Sequence, residues 1–191
     1  NKEHYIEKTI RSALDQTCTD FEVIVVDDGS TDDTFAVAES YREKFPNKII
    51  LLKNPSNQGL NHTLNRCLAA ANGTFIARMD GDDVCDPTRF QKEVDFLDAH
   101  PEYSRVSHKR LVIDEHGKEL GFDISDAVLN KPFTIEDFLA GRNYSDFGSV
   151  FRNYFRTAGQ KYHPLLLSSR NVCDFQDMFI TQDFGPVFVM D

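Results

Sequence analysis

Two short apolar runs in this chain stop abruptly at clusters of aspartate, and that repeated boundary narrows what the chain can fold into. Phe21-Glu22-Val23-Ile24-Val25-Val26 ends at Asp27-Asp28-Gly29-Ser30-Thr31-Asp32, and Thr74-Phe75-Ile76-Ala77-Arg78-Met79 ends at Asp80-Gly81-Asp82-Asp83. A brief, continuous, β-branched run of the first kind suits a strand buried on both faces. Helical spacing surrounds these strands: Tyr5, Ile6, Ile10, Ala13 and Leu14 predict an amphipathic helix over 3–16. Ser30 or Thr31 can cap a second helix over 32–45. A strand at Ile49-Ile50-Leu51-Leu52, a polar turn at 54–59 and a helix over 60–71 follow, Gly73 breaks that helix, and Pro87 opens another that runs to His100.

This βαβαβ alternation predicts an α/β fold, a mostly parallel sheet with right-handed crossovers and helices on both faces. After residue 101 the pattern weakens. Strands are expected at 111–113, 147–152 and 186–190, a turn at 114–117, and helices over 135–140 and 174–182. No linker or repeat divides the chain, so its 191 residues read as one domain, 1–191.

Composition excludes several classes. The net charge is −10, with 31 acidic against 21 Lys and Arg residues. No basic run offers phosphates a partner, so a nucleic-acid partner is not expected. Cys18, Cys67, Cys85 and Cys173 show no CxxC spacing, which argues against zinc or redox sites and for reduced thiols. No apolar stretch approaches the roughly 18–20 residues that span a bilayer, so no integral membrane segment is expected. No signal peptide is visible.

In open α/β sheets ligands bind beyond the carboxyl ends of the strands. If both strands are parallel members of one sheet, the Asp27-Asp28 and Asp80–Asp83 clusters open onto one crevice. Their carboxylates repel one another unless a cation intervenes. Oxygen-rich sites of this kind favour Mn²⁺ or Mg²⁺, ions that usually share coordination with substrate phosphates. A diphosphate-bearing substrate follows from that chemistry. Asp is also an ordinary turn and helix-cap residue, the reading that suits Asp32 and Asp33 best.

In this order and spacing, Asp27-Asp28-Gly29-Ser30-Thr31-Asp32, Asn57-Gln58-Gly59-Leu60 and Arg78-Met79-Asp80-Gly81-Asp82-Asp83 resemble the family 2 glycosyltransferases of the GT-A fold. The opening Asn1-Lys2-Glu3-His4-Tyr5-Ile6 and Gln16-Thr17 carry the same resemblance, which is close over 1–100 and patchy beyond. It implies a nucleotide-sugar-binding half over 1–100 and an acceptor-side half over 101–191. Asp28 would accept a hydrogen bond from the base, with uracil expected, and Asp27 would shape the turn beside it. Asp80 would contact the ribose side of the nucleotide, Asp82 the metal, and Arg78 would hold the nucleotide-sugar or balance the acidic cluster; a structural ion pair is its other reading. Asn57 and Gly59 would shape their loop. The implied base for the acceptor hydroxyl is Asp174, preceded by Cys173 where Glu is usual, with Asp177 as the fallback.

The implied reaction is an inverting, metal-dependent transfer of one sugar from a UDP-sugar donor to a glycan or lipid-linked acceptor. The expected setting is the cytoplasm, with peripheral attachment at the inner face of the membrane through a lipid-linked acceptor, and a bacterial polysaccharide pathway. The pattern departs in three places. Family members begin with an apolar strand, which would just have ended at Asn1, so the sheet is expected to lack it. Ser104 to Arg110 stands where a more apolar strand belongs, with His108 read as a surface residue. The chain also ends before the segment that usually completes the acceptor side. A binding or scaffolding module without catalysis is the alternative function, and a nucleotidyltransferase is a more distant one.

Overall fold

The computed structural model describes residues 1–103 and 105–122, together with the backbone of three further strands at 131–133, 150–152 and 187–190. Helix α1, Ile6–Leu14, buries Ile6, Ile10 and Ala13, spaced by four and three residues on one face. Strand β1, Val23–Asp27, runs parallel to β2, Ile49–Lys53, with Val23 opposite Ile49 and Asp27 opposite Lys53. Helix α2, Thr34–Lys44, is the crossover between them. Ile6, Ile10, Ala38 and Ile49 form the buried centre of this unit, lined by Val23, Val25 and Leu51. Strand alternation turns Ile24 and Val26 the other way. That leaves their face to α3, Leu60–Ala70, which also packs on β1.

Beyond α3 come β3, Phe75–Ala77, and α4, Arg89–Ala99. Then follow β4, Arg105–His108, and a hairpin of β5, Leu111–Ile113, with β6, Glu119–Phe122. The hairpin turns on Asp114, whose Oδ1 accepts from the His116 and Lys118 amides at 2.9 Å each. Strands β7, Lys131–Phe133, β8, Val150–Arg152, and β9, Val187–Met190, complete the set. They form a five-stranded sheet with β3 and β4, in the order β3-β8-β4-β9-β7. Pro132 is tolerated because β7 is an edge strand. A second core gathers Leu97 and Val106 with Phe75, Val94, Phe96 and Tyr103.

The α/β class and the helix-strand alternation through residue 99 agree with the sequence. The sheet differs in detail. Pairing is parallel in β1–β2 and β4–β9, but β8 runs antiparallel to both β3 and β4. Strands β1 and β3, expected in one parallel sheet, lie in separate sheets. Val23–Val26 are accordingly half-buried rather than buried on both faces, since β2 is the one described strand paired with β1. Strands β5, β8 and β9 fall where strands are expected, and β4 where the resemblance places a more apolar one; β6 and β7 are additions. The helices expected over 135–140 and 174–182 lie outside the described residues.

What joins the two units is α1 and the chain after it, not a shared strand. Gln16, 7% exposed, donates from Nε2 to the Asp86 carbonyl at 2.8 Å and accepts at Oε1 from the Phe90 amide at 3.0 Å. The Thr17 amide donates to the Pro87 carbonyl at 2.8 Å, and the Phe21 ring meets Phe90 edge-on at 5.9 Å.

Candidate functional site

The first acidic cluster is held by neutral donors. Asp27 ends β1, and its carbonyl accepts from the Asn54 amide at the end of β2 at 2.8 Å. The next turn needs Gly29: its φ is +74°, and a β-carbon there would lie 2.6 Å from the Ser56 carbonyl carbon. Either fact excludes other residues without a shift in backbone. The turn therefore presses directly onto the 54–59 loop. Asp28 fixes that contact, with Oδ1 accepting from Asn54 Nδ2 at 2.6 Å and the Gln58 amide at 2.8 Å, and Oδ2 from the Gly59 amide at 3.0 Å.

Burial pushes the Asp28 carboxyl up, but hydrogen bonds from Asn54, the Gln58 and Gly59 amides and Thr63 outweigh it and hold it below the usual range. Fully buried Asn54 is itself held by Thr63 Oγ1 at 3.2 Å and by the Arg66 guanidinium. A carboxylate offers about four acceptor positions, so the loop uses most of those on Asp28. Asp27 is the reverse case. It is 5% exposed, its Oδ2 accepts from the Ser30 amide at 3.2 Å, and its buried Oδ1 has no partner among the described residues. The geometry thus gives Asp28 the loop-shaping task and leaves the unsatisfied oxygen on Asp27.

Asp32 is structural, as expected, whereas Asp33 stands at the start of α2 without a side-chain cap hydrogen bond. Asp32 accepts from the Thr34 amide at 3.1 Å and hydroxyl at 2.6 Å at the start of α2. That task falls to Asp32 rather than to Ser30 or Thr31.

The second cluster is balanced by cations. Arg78, 7% exposed, places a guanidinium nitrogen 3.8 Å from Asp80. Lys2 pairs with Asp82, and Arg110 lies 3.9 Å from Asp83. Burial raises the Asp83 carboxyl, Asp80 adds to the rise, Arg110 opposes it and Asp82 adds again.

A buried network, unforeseen in the sequence, supports this loop. Arg89 donates to the Arg78 carbonyl at 3.2 Å and to Glu93 at 3.3 Å, and Glu93 meets His108 Nδ1 at 2.6 Å. His108 is not the surface residue expected of it. The inward-facing 2%-exposed Glu93 draws it onto α4. A signal did exist, because Arg89, Glu93 and Leu97 share one helix face at spacings of four, and Leu97 marks that face as inward.

Residues 1–3 tie the two clusters together. Asn1 Oδ1 accepts from the Thr31 amide at 2.8 Å, and Glu3 Oε2 accepts from the Asp33 amide at 3.1 Å. The Lys2 amide donates to Thr34 Oγ1 at 2.6 Å while its side chain reaches Asp82. Residues 1–3 thus bridge the segment after β1, at Thr31, Asp33 and Thr34, to Asp82 in the 80–83 loop. Asp174 and Asp177 lie outside the described residues. No group of three or more His, Cys, Asp or Glu among the described residues forms a ready metal cage. Asp80 and Asp82 are partly exposed carboxylates, the donor type of Mg²⁺ and Mn²⁺ sites that share coordination with substrate phosphates. Cys18, Cys67 and Cys85 are free thiols, and burial pushes Cys67 up to about 11, which makes it inert. Among the described residues no helix is long and apolar enough to cross a membrane.

Comparison with known proteins agrees with this geometry. The sequence profile of Glycosyl transferase family 2 matches residues 1–162. EpsE of Bacillus subtilis (strain 168), a glycosyltransferase by name, is 41% identical over 117 residues, covering 61% of this chain and 42% of EpsE. The amylovoran biosynthesis glycosyltransferase AmsE of Erwinia amylovora is 34% identical over 119 residues, covering 62% of this chain and 44% of its own. The match thus spans less than half of each relative. Among solved structures, S. aureus TarS 1-349 in complex with UDP-GlcNAc superposes with a TM-score of 0.75 at 23% identity, over 99% of this chain and 53% of TarS. That likeness establishes the GT-A fold.

Proposed function

This chain belongs to Glycosyl transferase family 2, and from that premise we propose that it transfers a single sugar from a nucleotide-sugar, a UDP-sugar foremost, to a glycan or lipid-linked acceptor. The observation that supports the reading is the bridge that residues 1–3 make between the Thr31–Thr34 segment that follows the first acidic cluster and Asp82 in the second. The UDP-GlcNAc complex of TarS and the amylovoran role in the name of AmsE support the donor class and a polysaccharide setting. Free thiols favour a reducing, cytoplasmic location.

In this mechanism the base of the donor lies against the Asp27–Asp28 end, whose geometry is fixed before ligand arrives. Asp80 would face the ribose and diphosphate, and Asp82 would hold Mn²⁺ or Mg²⁺. When bound, the metal stabilises as a Lewis acid the negative charge that develops on the departing diphosphate. Arg78, fixed by burial, keeps a positive charge beside Asp80 throughout. The acceptor hydroxyl loses its proton to Asp174 as it attacks the anomeric carbon, a direct displacement that inverts the centre. Residues 101–191 form the acceptor side.

The test is thermal unfolding with uridine and guanosine diphosphates and their sugar conjugates, with and without Mn²⁺. A ligand at 100 times its Kd should stabilise by about 2.7 kcal/mol, a rise of roughly 5–10 °C for a chain of this size. A Mn²⁺-dependent rise that disappears in Asp82→Asn supports the reading. No rise with any nucleotide refutes it. A rise without sugar transfer, unaltered by Asp174→Asn, favours the binding module instead.

A further inference from the structure

Of the described cations around Asp80, Asp82 and Asp83, Lys2 alone is built to leave. Arg78 is buried, and Arg110 is three-quarters buried at 24% side-chain exposure. Lys2 and Asp82 are 44% and 40% exposed, and Lys2 is the one partner of Asp82 among the described residues. The chemistry differs too. A guanidinium is a rigid fork, whereas lysine carries a compact charge on a flexible four-carbon stem.

The backbone beneath that stem is nevertheless fixed. The Lys2 amide is bound to Thr34 Oγ1, and its carbonyl accepts from the Tyr5 and Ile6 amides at 2.9 Å each. The stem runs past Gly81, where a β-carbon would stand 3.7 Å from Lys2 Cγ and 3.6 Å from Ile6 Cδ1. The main chain is therefore held against both acidic clusters while the ammonium can swing. An exposed ion pair of this kind contributes little and is cheaply broken.

We propose that Lys2 is a resident counter-cation for Asp82. It occupies the carboxylate in the ligand-free chain, yields it to a divalent metal, and then places its charge on the diphosphate of the donor. The inference rests on the donor-site reading above and adds a residue and an order of events to it. Without metal, the ammonium offsets the repulsion among Asp80, Asp82 and Asp83. Once a metal binds Asp82, two like charges cannot share that oxygen, and the incoming diphosphate offers the displaced ammonium a new anion within its side-chain reach.

The exchange predicts effects of opposite sign from one substitution. In Lys2→Met, Mn²⁺ alone, titrated by electron paramagnetic resonance, should bind about two- to fivefold more tightly, because its competitor is gone. UDP titrated calorimetrically at saturating Mn²⁺ should bind about two- to fivefold more weakly, because its ammonium is gone. Lys2→Arg, which keeps the charge, should move both affinities less. A merely structural lysine would weaken both when replaced, and an incidental one would change neither; either result overturns the proposal and leaves the donor site standing. Failure of the unaltered chain to bind either Mn²⁺ or UDP overturns the donor-site reading, and the proposal with it.

Discussion

The two acidic clusters of this molecule solve the same electrostatic problem with different materials. At Asp28 the negative charge is met by uncharged donors, the Asn54 amide and the Gln58 and Gly59 backbone, fixed by a turn that presses on its neighbour. At Asp80–Asp83 it is met by Arg78, Lys2 and Arg110. Backbone dipoles cannot leave when a ligand arrives, whereas side-chain cations can be exchanged. One cluster is therefore preformed and the other responsive. The carboxyl groups carry the same contrast, since Asp28 is held below the usual range and Asp83 above it.

The contrast can be broken most forcefully beneath the responsive cluster. Glu93→Ala leaves the buried Arg89 guanidinium without its carboxylate, a loss of about 3–5 kcal/mol, read as a fall in the urea midpoint. A fall no larger than that of an exposed substitution would show that the network does not support the loop. At the preformed cluster, Gly29→Ala adds left-handed strain and a backbone clash, together about 3 kcal/mol. Gly59→Ala, at φ +86° and ψ 162° with nothing within 4 Å of the new carbon, isolates the backbone strain and should cost about 1–3 kcal/mol. Equal losses at the two glycines would deny the close approach of the turn to Ser56. Asn54→Ala removes a buried donor and should cost about 1–3 kcal/mol.

Acid separates the clusters further. The folded carboxyl of Asp28 lies below its unfolded value of about 3.9. Its contribution is thus complete above that pH and is lost as pH falls through the lower folded value. Urea midpoints recorded from about pH 6 down to about pH 2 should show a shallower acid limb in Asp28→Asn than in the parent chain. Identical limbs would mean that the loop amides do not favour the charged form. The smallest effect belongs to the exposed pair: Lys2→Met in metal-free buffer should change stability by no more than about 1 kcal/mol.

Much of this was legible in the sequence. The β-branched run before Asp27, the helical spacing of Ile6, Ile10 and Ala13, and the breaks at Gly59, Gly73 and Pro87 place the elements through residue 99 to within a few residues. The two Asp clusters single out the candidate site because both fall at the carboxyl ends of apolar strands, where an open α/β sheet binds its ligands. Legibility fails where partners are distant in sequence. His108 could not reveal that its partner is Glu93 on α4, and Lys2 and Asp82 are separated by 80 positions. The Asp27–Asp28 pair has one composition but two environments, set by which carboxylate faces the 54–59 loop. Strand order fails for the same reason: apolar runs announce strands but not neighbours, so the separation of β1 from β3 and the antiparallel entry of β8 emerge only from the fold.

The central claim is that these unlike clusters form one donor site. The direct measurement is calorimetric titration of a UDP-sugar in saturating Mn²⁺ into the parent chain, Asp28→Asn and Asp82→Asn. One ligand should bind per chain, weakened about tenfold or more by either substitution, through the loop that Asp28 shapes or the metal ligand lost at Asp82. Binding that responds to only one of the two substitutions would contradict that claim.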